Sequence, residues 1–284
     1  MRIVSLLPST TEILFAIGAG GDVVGVTFEC DFPAEARSRR IVSTSAMPEG
    51  LTPAEIDAFV VAAMARGDDL YHLDAGALRG LDADLVVTQD LCAVCAVDVS
   101  VVDEALAHLG CTADVLTIDP YTLGEVFDSI ETLGAATGHL GEARALVLDQ
   151  RARLDAVAAR IAGRSRPRVM FLEWTDPPFA PGHWIPEMIR LAGGEPLLAT
   201  PGAKSERVTW EQVHEAAPEV VIVAPCGYDR AGSAALADAL VATGVLPAGV
   251  PVHAVDANAS WARPGTRLVD GVEELATLLH RSRE

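Results

Sequence analysis

The chain has 284 residues, half of them hydrophobic and 21% charged, ample for two domains with cores of ordinary size. Forty acidic residues against 21 basic ones give a formal charge of −19, which opposes phosphate backbones and anionic lipid surfaces and argues against nucleic acid as a partner. The apolar stretches are too short to cross a bilayer core of roughly 30 Å, so no membrane span is expected.

Taken in chain order, short β-branched runs alternate with helical patterns. Strands are expected at 2–7, 23–28, 40–43, 85–88 and 115–118, then at 168–172, 220–224 and 252–255. Runs this apolar, separated by helices, indicate parallel sheets covered on both faces, so the fold class is α/β. Helix starts are marked by capping boxes, in which a hydroxyl accepts from the third helical N–H and a Glu or Gln reaches back. These boxes are Ser9 to Glu12, Thr52 to Glu55, Thr122 to Glu125 and Thr209 to Gln212. The glycine-rich stretch 18–25 follows a helix instead of leading from a strand into one, so it reads as a helix end and turn, not a phosphate loop.

Between about 122 and 163 only helical periodicity is visible, split by the turn at Gly138 to Gly141. The expected organisation is an N-terminal α/β lobe at 1–121, linking helices at 122–164 and a C-terminal α/β lobe at 165–284. A long helix in the middle suggests a rigid connection where a Gly/Ser linker would have suggested a mobile one.

In open parallel sheets, ligands bind outside the carboxyl ends of the strands. The candidate site residues are therefore those that follow the apolar runs: Pro8, Ser9 and Thr10; Glu29, Cys30 and Asp31; Gln89, Asp90, Leu91 and Cys92; Trp174, His183 and Trp184; Cys226 and Tyr228; Trp261 and Arg263. Three of the four tryptophans fall in these segments. Trp174, Trp184 and Trp261 offer wide flat faces for stacking on a large ligand, whereas Trp210, in the first turn of a helix, reads as packing.

The five cysteines have no regular spacing, which argues against a secreted disulfide framework. Cys92 and Cys95 are spaced for two thiolates on one metal, and Cys30, Cys226 and His183 are the groups available to complete such a site. The other reading of the same residues is small side chains lining a pocket. No nucleophile elbow or zinc-protease helix motif is present, so the signal for an enzyme is weak.

The opening "RIVSLLPSTTEILFAIGAGGDVVGVTFECDFP" resembles the substrate-binding proteins of ABC importers for cobalamin, close in fold to those for ferric siderophores and haem. "LEWTDPPFAPGHW", "MIRLAGGEPLL", "VTWEQVHEAAPEVVIVAPCG" and "SWARPGTRLVDG" resemble later blocks of the same family, in the same order. The resemblance implies two α/β lobes joined by a rigid helix, a small-molecule ligand in the cleft between them, and little hinge motion. It also implies an ABC permease as partner if a signal segment precedes Met1. The first ten residues fall short of a secretory signal, so the chain reads as cytoplasmic as written and periplasmic or extracellular otherwise. The positions where such proteins place tryptophans against the corrin are near Ser45 and at Gln89 here. The expectation is reversible sequestration of cobalamin or a related corrinoid. The alternative is an intracellular zinc or iron thiolate centre built from Cys30, Cys92, Cys95, Cys226 and His183, binding metal or acting as an enzyme.

Overall fold

The computed structural model describes residues 1–68, 70–89 and 112–280. Packing divides the chain into two compact units, Met1–Asp119 with Phe127–Val147, and Pro120–Val126 with Leu148–Glu284. The division runs through the helical segment 122–164 instead of setting it apart.

In the first unit, β1 (Ile3–Ser5), β2 (Val23–Thr27), β3 (Arg40–Ser45), β4 (Tyr71–Leu73), β5 (Leu85–Thr88) and β6 (Asp114–Thr117) form one sheet in the order β4-β3-β2-β1-β5-β6. All pairings are parallel except the edge pair β3 with β4. The strand residues of β1 and β5 are buried throughout, which is why they read as unbroken apolar runs. Below them Val4, Leu6, Val42, Leu70 and Val86 form a core.

In the second unit, β7 (Arg168–Leu172), β10 (Glu195–Pro196), β12 (Val220–Val223) and β13 (Val252–Ala254) make a parallel sheet in the order β10-β7-β12-β13. β8 (Trp174–Thr175), β9 (Pro178–Ala180) and β11 (Glu206–Arg207) make a small antiparallel sheet that the sequence did not announce. Met170, Leu172, Val208, Val221 and Val223 anchor the core, and Trp210 packs against its edge as expected. Arg153 binds both Asp270 and Glu273, tying the helix Leu140–Ile161 to the helix Leu268–Leu279.

Three of the expected capping boxes are present. The Thr52 and Thr209 hydroxyls each accept from the third helical N–H while Glu55 and Gln212 reach back. The Thr122 hydroxyl accepts from Glu125 N–H, and Glu125 accepts from the N–H groups of Tyr121 and Thr122, the bond from Tyr121 contributing most to holding its carboxyl below the usual range. The fourth box does not form. The helix Pro8–Ala16 starts two residues earlier, with Leu7 as its extended N-cap and Pro8 in the first turn, so Ser9 lies inside the helix. The 22-residue helix Leu140–Ile161, about 33 Å long, continues from the first unit into the second. Among the described residues, no helix is long and apolar enough to cross a membrane.

Candidate functional site

Each parallel sheet has one topological switch point, where successive connections leave in opposite directions and the loops part to leave a crevice. In the first sheet it lies between β1 and β5, because β2 follows β1 on one side and β5 joins it on the other. In the second it lies between β7 and β12, for the same reason with β10 and β12. The loops after these strands carry most of the expected residues, and the structure sorts them into buried and accessible groups.

Around the first switch point, a buried hydroxyl network occupies the strand ends. Ser5 Oγ is 2.7 Å from Thr10 Oγ1, Thr11 Oγ1 donates to Ser5 Oγ at 2.8 Å, and the Cys30 thiol is 3.1 Å from Thr11 Oγ1. Pro8, Ser9, Thr10, Cys30 and Gln89 are all buried, so they shape the floor of this end of the sheet instead of projecting from it. Glu29 and Asp31 are half-buried, and Glu29 accepts from the Tyr71 hydroxyl at 3.2 Å. What does project is aromatic: Phe28 and Phe32 are 39% and 45% exposed, large values for such apolar rings, with Tyr71 packed against Phe28 at 6.1 Å. Sequence reasoning passed over these rings, although Phe28 and Phe32 flank the Glu29–Asp31 triplet it selected. Asp90, Leu91, Cys92 and Cys95 lie outside the described residues.

The second switch point is denser. Trp174 and Tyr228, both half-buried, stand with ring centroids 6.0 Å apart, and Cys226 beside them is exposed. The Cys226 N–H donates to the Glu173 carbonyl, joining the ends of β12 and β7, and Asn258 N–H donates to the Tyr228 carbonyl. Arg263 is half-buried on the following loop. Burial pushes the Tyr228 hydroxyl's pKa up. His183 has a φ of 50°, packs its ring 5.6 Å from that of Tyr121, and is kept from protonating first by burial and then by Lys204. An imidazole held neutral in this way keeps a lone pair for a hydrogen bond.

Two of the tryptophans expected to stack on a ligand are interior residues. Trp261 is 0% exposed and lies 4.8 Å from the Phe171 ring, while Trp184 is 7% exposed and donates its indole N–H to the Trp261 carbonyl at 2.8 Å. Neither offers an open face, which leaves Trp174 as the accessible tryptophan of the three. Glu173, next to Trp174 after β7, has the most perturbed carboxyl at this site. Burial pushes its pKa up to about 7, against the opposing pull of hydrogen bonds from the Ser205 hydroxyl and the Gly182 N–H. Cys92 and Cys95, the pair at the heart of the metal-centre reading, lie outside the described residues. Cys30 is buried in its hydroxyl network and Cys226 is exposed, and among the described residues no three His, Cys, Asp or Glu side chains come together as a metal set.

The family model described as "Periplasmic binding protein" matches residues 3–247. The chain belongs to this family. Over 98% of its length it is 26% identical to an uncharacterized ABC transporter substrate-binding lipoprotein of Bacillus subtilis, covering 80% of that protein. A vitamin B12-binding protein of Yersinia pestis is 27% identical over 78% of this chain and 69% of its own. Among solved structures, a periplasmic haem-binding protein of Vibrio cholerae superposes with a TM-score of 0.70 at 20% identity, covering 99% of both chains. That likeness is one of fold. The two-unit α/β architecture is thus that of a periplasmic binding protein, with small accessible aromatic groups at the strand ends of each unit.

Proposed function

We propose that this periplasmic binding protein is the substrate-binding component of an ABC importer and that its ligand is a corrinoid, cobalamin or a close relative. The observation that carries the reading is the pair of accessible aromatic groups at the strand ends, Phe28 and Phe32 in the first unit and Trp174 with Tyr228 in the second. Flat apolar rings of this size match the broad face of a macrocycle, and polar groups beside them, Glu29, Asp31, His183, Cys226 and Arg263, suit its edge. The 27% identity to a vitamin B12-binding protein supports the same choice. The chain acts by reversible binding, delivering its ligand to an ABC permease from outside the cytoplasm; its Bacillus subtilis relative is named as an ABC transporter substrate-binding lipoprotein, which supports this reading.

The test is to equilibrate purified protein with hydroxocobalamin and, separately, with haemin, then follow each pigment through gel filtration by absorption. Co-elution of the red corrinoid in about one-to-one ratio is the expected result. Retention of haemin alone would transfer the proposal to a haem ligand, and retention of neither would remove it.

A first prediction concerns Trp174. Truncating a central aromatic anchor costs about 2 kcal/mol of binding, so Trp174→Ala should weaken corrinoid affinity roughly thirtyfold in a fluorescence titration. Its half-buried position predicts little loss of stability, and the melting temperature of the variant should stay within a few degrees of the parent.

A further inference from the structure

Trp174 follows β7, and at the other end of that strand, just before Arg168, the second unit holds a cavity of about 390 Å³. That volume falls within the roughly 300–1,000 Å³ of small-molecule sites. Three helices end on it, Leu140–Ile161, Ile185–Leu191 and Leu268–Leu279, and their last or capping residues Ile161, Leu191 and His280 line its wall. They meet closely because residue 193 is a glycine with a φ of 85°: a Cβ there would lie 2.4 Å from His280 Nε2 and 2.9 Å from Ile161 Cδ1. Arg164, Arg166 and Arg190 bring three guanidinium groups to the lining, which includes no Asp or Glu among the described residues. The neighbouring groove between the helices Leu140–Ile161 and Leu268–Leu279 differs, since its Arg153 and Arg160 are matched by Asp270, Glu273 and Glu274.

Part of this positive charge serves the helix ends. Arg164 Nη1 donates to the His280 carbonyl at 2.6 Å, and Arg166 Nη2 donates to the carbonyls of Arg190 and Gly194 at 3.0 and 3.1 Å. Each of these guanidiniums keeps further N–H donors, and the Arg190 guanidinium has no hydrogen bond or ion pair among the described residues. A helix C-terminus carries about half a negative charge, so three ends offset roughly 1.5 of the three positive charges. An excess of roughly 1.5 remains, in a chain whose formal net charge is −19. His280 feels the same field: its protonation is opposed first by burial and then by Arg164, Arg160 and Arg166, against the pull of its bond to the Ala192 carbonyl. We propose that this cavity is a second binding site, separate from the strand-end aromatics, which takes a phosphate-class oxyanion on Arg164, Arg166 and Arg190. A carboxylate would cancel less of the excess and offers two oxygens, whereas a phosphate dianion matches it and presents more acceptors to the guanidinium forks.

The probe is inorganic phosphate, exchanged against chloride at constant ionic strength and followed by NMR on the His280 ring protons, which are assigned by their loss in His280→Gln. A saturable shift is expected, with the His280 pKa moving up as the bound anion offsets the arginine field. Arg190→Gln should weaken phosphate roughly tenfold, about the effect of one hydrogen bond to a charged group. That side chain holds no described residue in place, so the melting temperature of the variant should stay within a few degrees of the parent. Sedimentation with vesicles of phosphatidylglycerol or of phosphatidylcholine separates the two sources of this chemistry. Capture by phosphatidylglycerol alone, lost in Arg190→Gln, would make the oxyanion a lipid headgroup. Saturable phosphate binding without capture would make it a free or small-molecule phosphate. A shift that never saturates, or one unchanged in Arg190→Gln, with no capture that depends on Arg190, would overturn the site. Corrinoid retention should be equal in parent and Arg190→Gln, so failure here leaves the proposed function standing.

Discussion

Replacing Trp261 by Ala is expected to cost about 3–5 kcal/mol of stability, the usual range for deleting a fully buried indole, with corrinoid affinity of the folded protein unchanged within about twofold. The ring has no solvent exposure and packs 4.8 Å from Phe171. It also backs the helix Leu268–Leu279 so closely that a Cβ on Gly271 would come within 3.0 Å of it. Its indole nitrogen has no hydrogen-bond partner among the described residues, so the loss is one of packing and cavity, without a broken polar contact. The carbonyl that accepts from Trp184 belongs to the backbone and survives the substitution. Urea denaturation followed by circular dichroism measures the first quantity and fluorescence titration the second. A large fall in affinity with little loss of stability would instead return Trp261 to the ligand.

A smaller effect is expected at Glu173 in the ligand-free protein. The folded chain holds its proton more tightly than the unfolded chain does, since burial raises the pKa from the ordinary 4.5 to about 7. The resulting stabilisation is complete below about 4.5 and is lost as pH rises through 7. Glu173→Gln carries no such charge, so the melting temperature of the ligand-free protein should decline less between pH 5 and pH 8 in the variant than in the parent. Parallel declines would show that this carboxyl ionises as it would in water.

The parallel sheets were legible because their strands are buried on both faces. Val220–Val223 is apolar at every position and buried at every position, and no local pattern competes with that signal. The antiparallel pieces were not. Tyr71–Leu73, Trp174–Thr175 and Glu206–Arg207 are two or three residues long, too short to show a period of two, and Pro178 in β9 reads as a turn residue. Capping chemistry located three helix starts and missed the fourth, because Pro8 suits the first turn better than the serine beside it. The same division holds at the site. Strand-end topology singled out loops that the structure places at the two switch points, since that rule depends only on where the apolar runs stop. Which aromatic rings face outward depends on neighbours distant in sequence. Phe171 and Gly271 enclose Trp261, and nothing in residues 257–265 reveals it, while Phe32 stays exposed beside the triplet Glu29–Asp31 that was selected for its polar groups. The raised pKa of Glu173 comes from burial, which no charge pattern around residue 173 reveals, and it persists against the opposing hydrogen bonds from Ser205 and Gly182.

Gly182→Ala should destabilise the second unit by about 1–3 kcal/mol through overpacking, with the lost grip on Glu173 adding about 1 kcal/mol more. A Cβ at this buried position would lie 2.2 Å from the Ser205 nitrogen, 2.5 Å from the Lys204 carbonyl carbon and 2.6 Å from the Ala203 oxygen. All three are backbone atoms, so no side chain can turn aside to make room. The segments are also pinned together, since His183 N–H donates to the Ala203 carbonyl at 2.6 Å and Gly202 N–H donates to the His183 carbonyl at 3.0 Å. Forcing them apart strains the two bonds that favour the charged form of Glu173, from the Gly182 N–H and the Ser205 hydroxyl. The carboxyl should then hold its proton to still higher pH. Gly141→Ala is the matched control. Its Cβ meets nothing within 4 Å, and it lies in the first turn of the helix Leu140–Ile161, where alanine is the better helix former by up to about 1 kcal/mol. Denaturation midpoints should therefore move in opposite directions for the two substitutions. A midpoint for Gly182→Ala at or above that of the parent would mean that the 203–205 segment yields without cost, and that the grip on Glu173 is looser than its hydrogen bonds indicate.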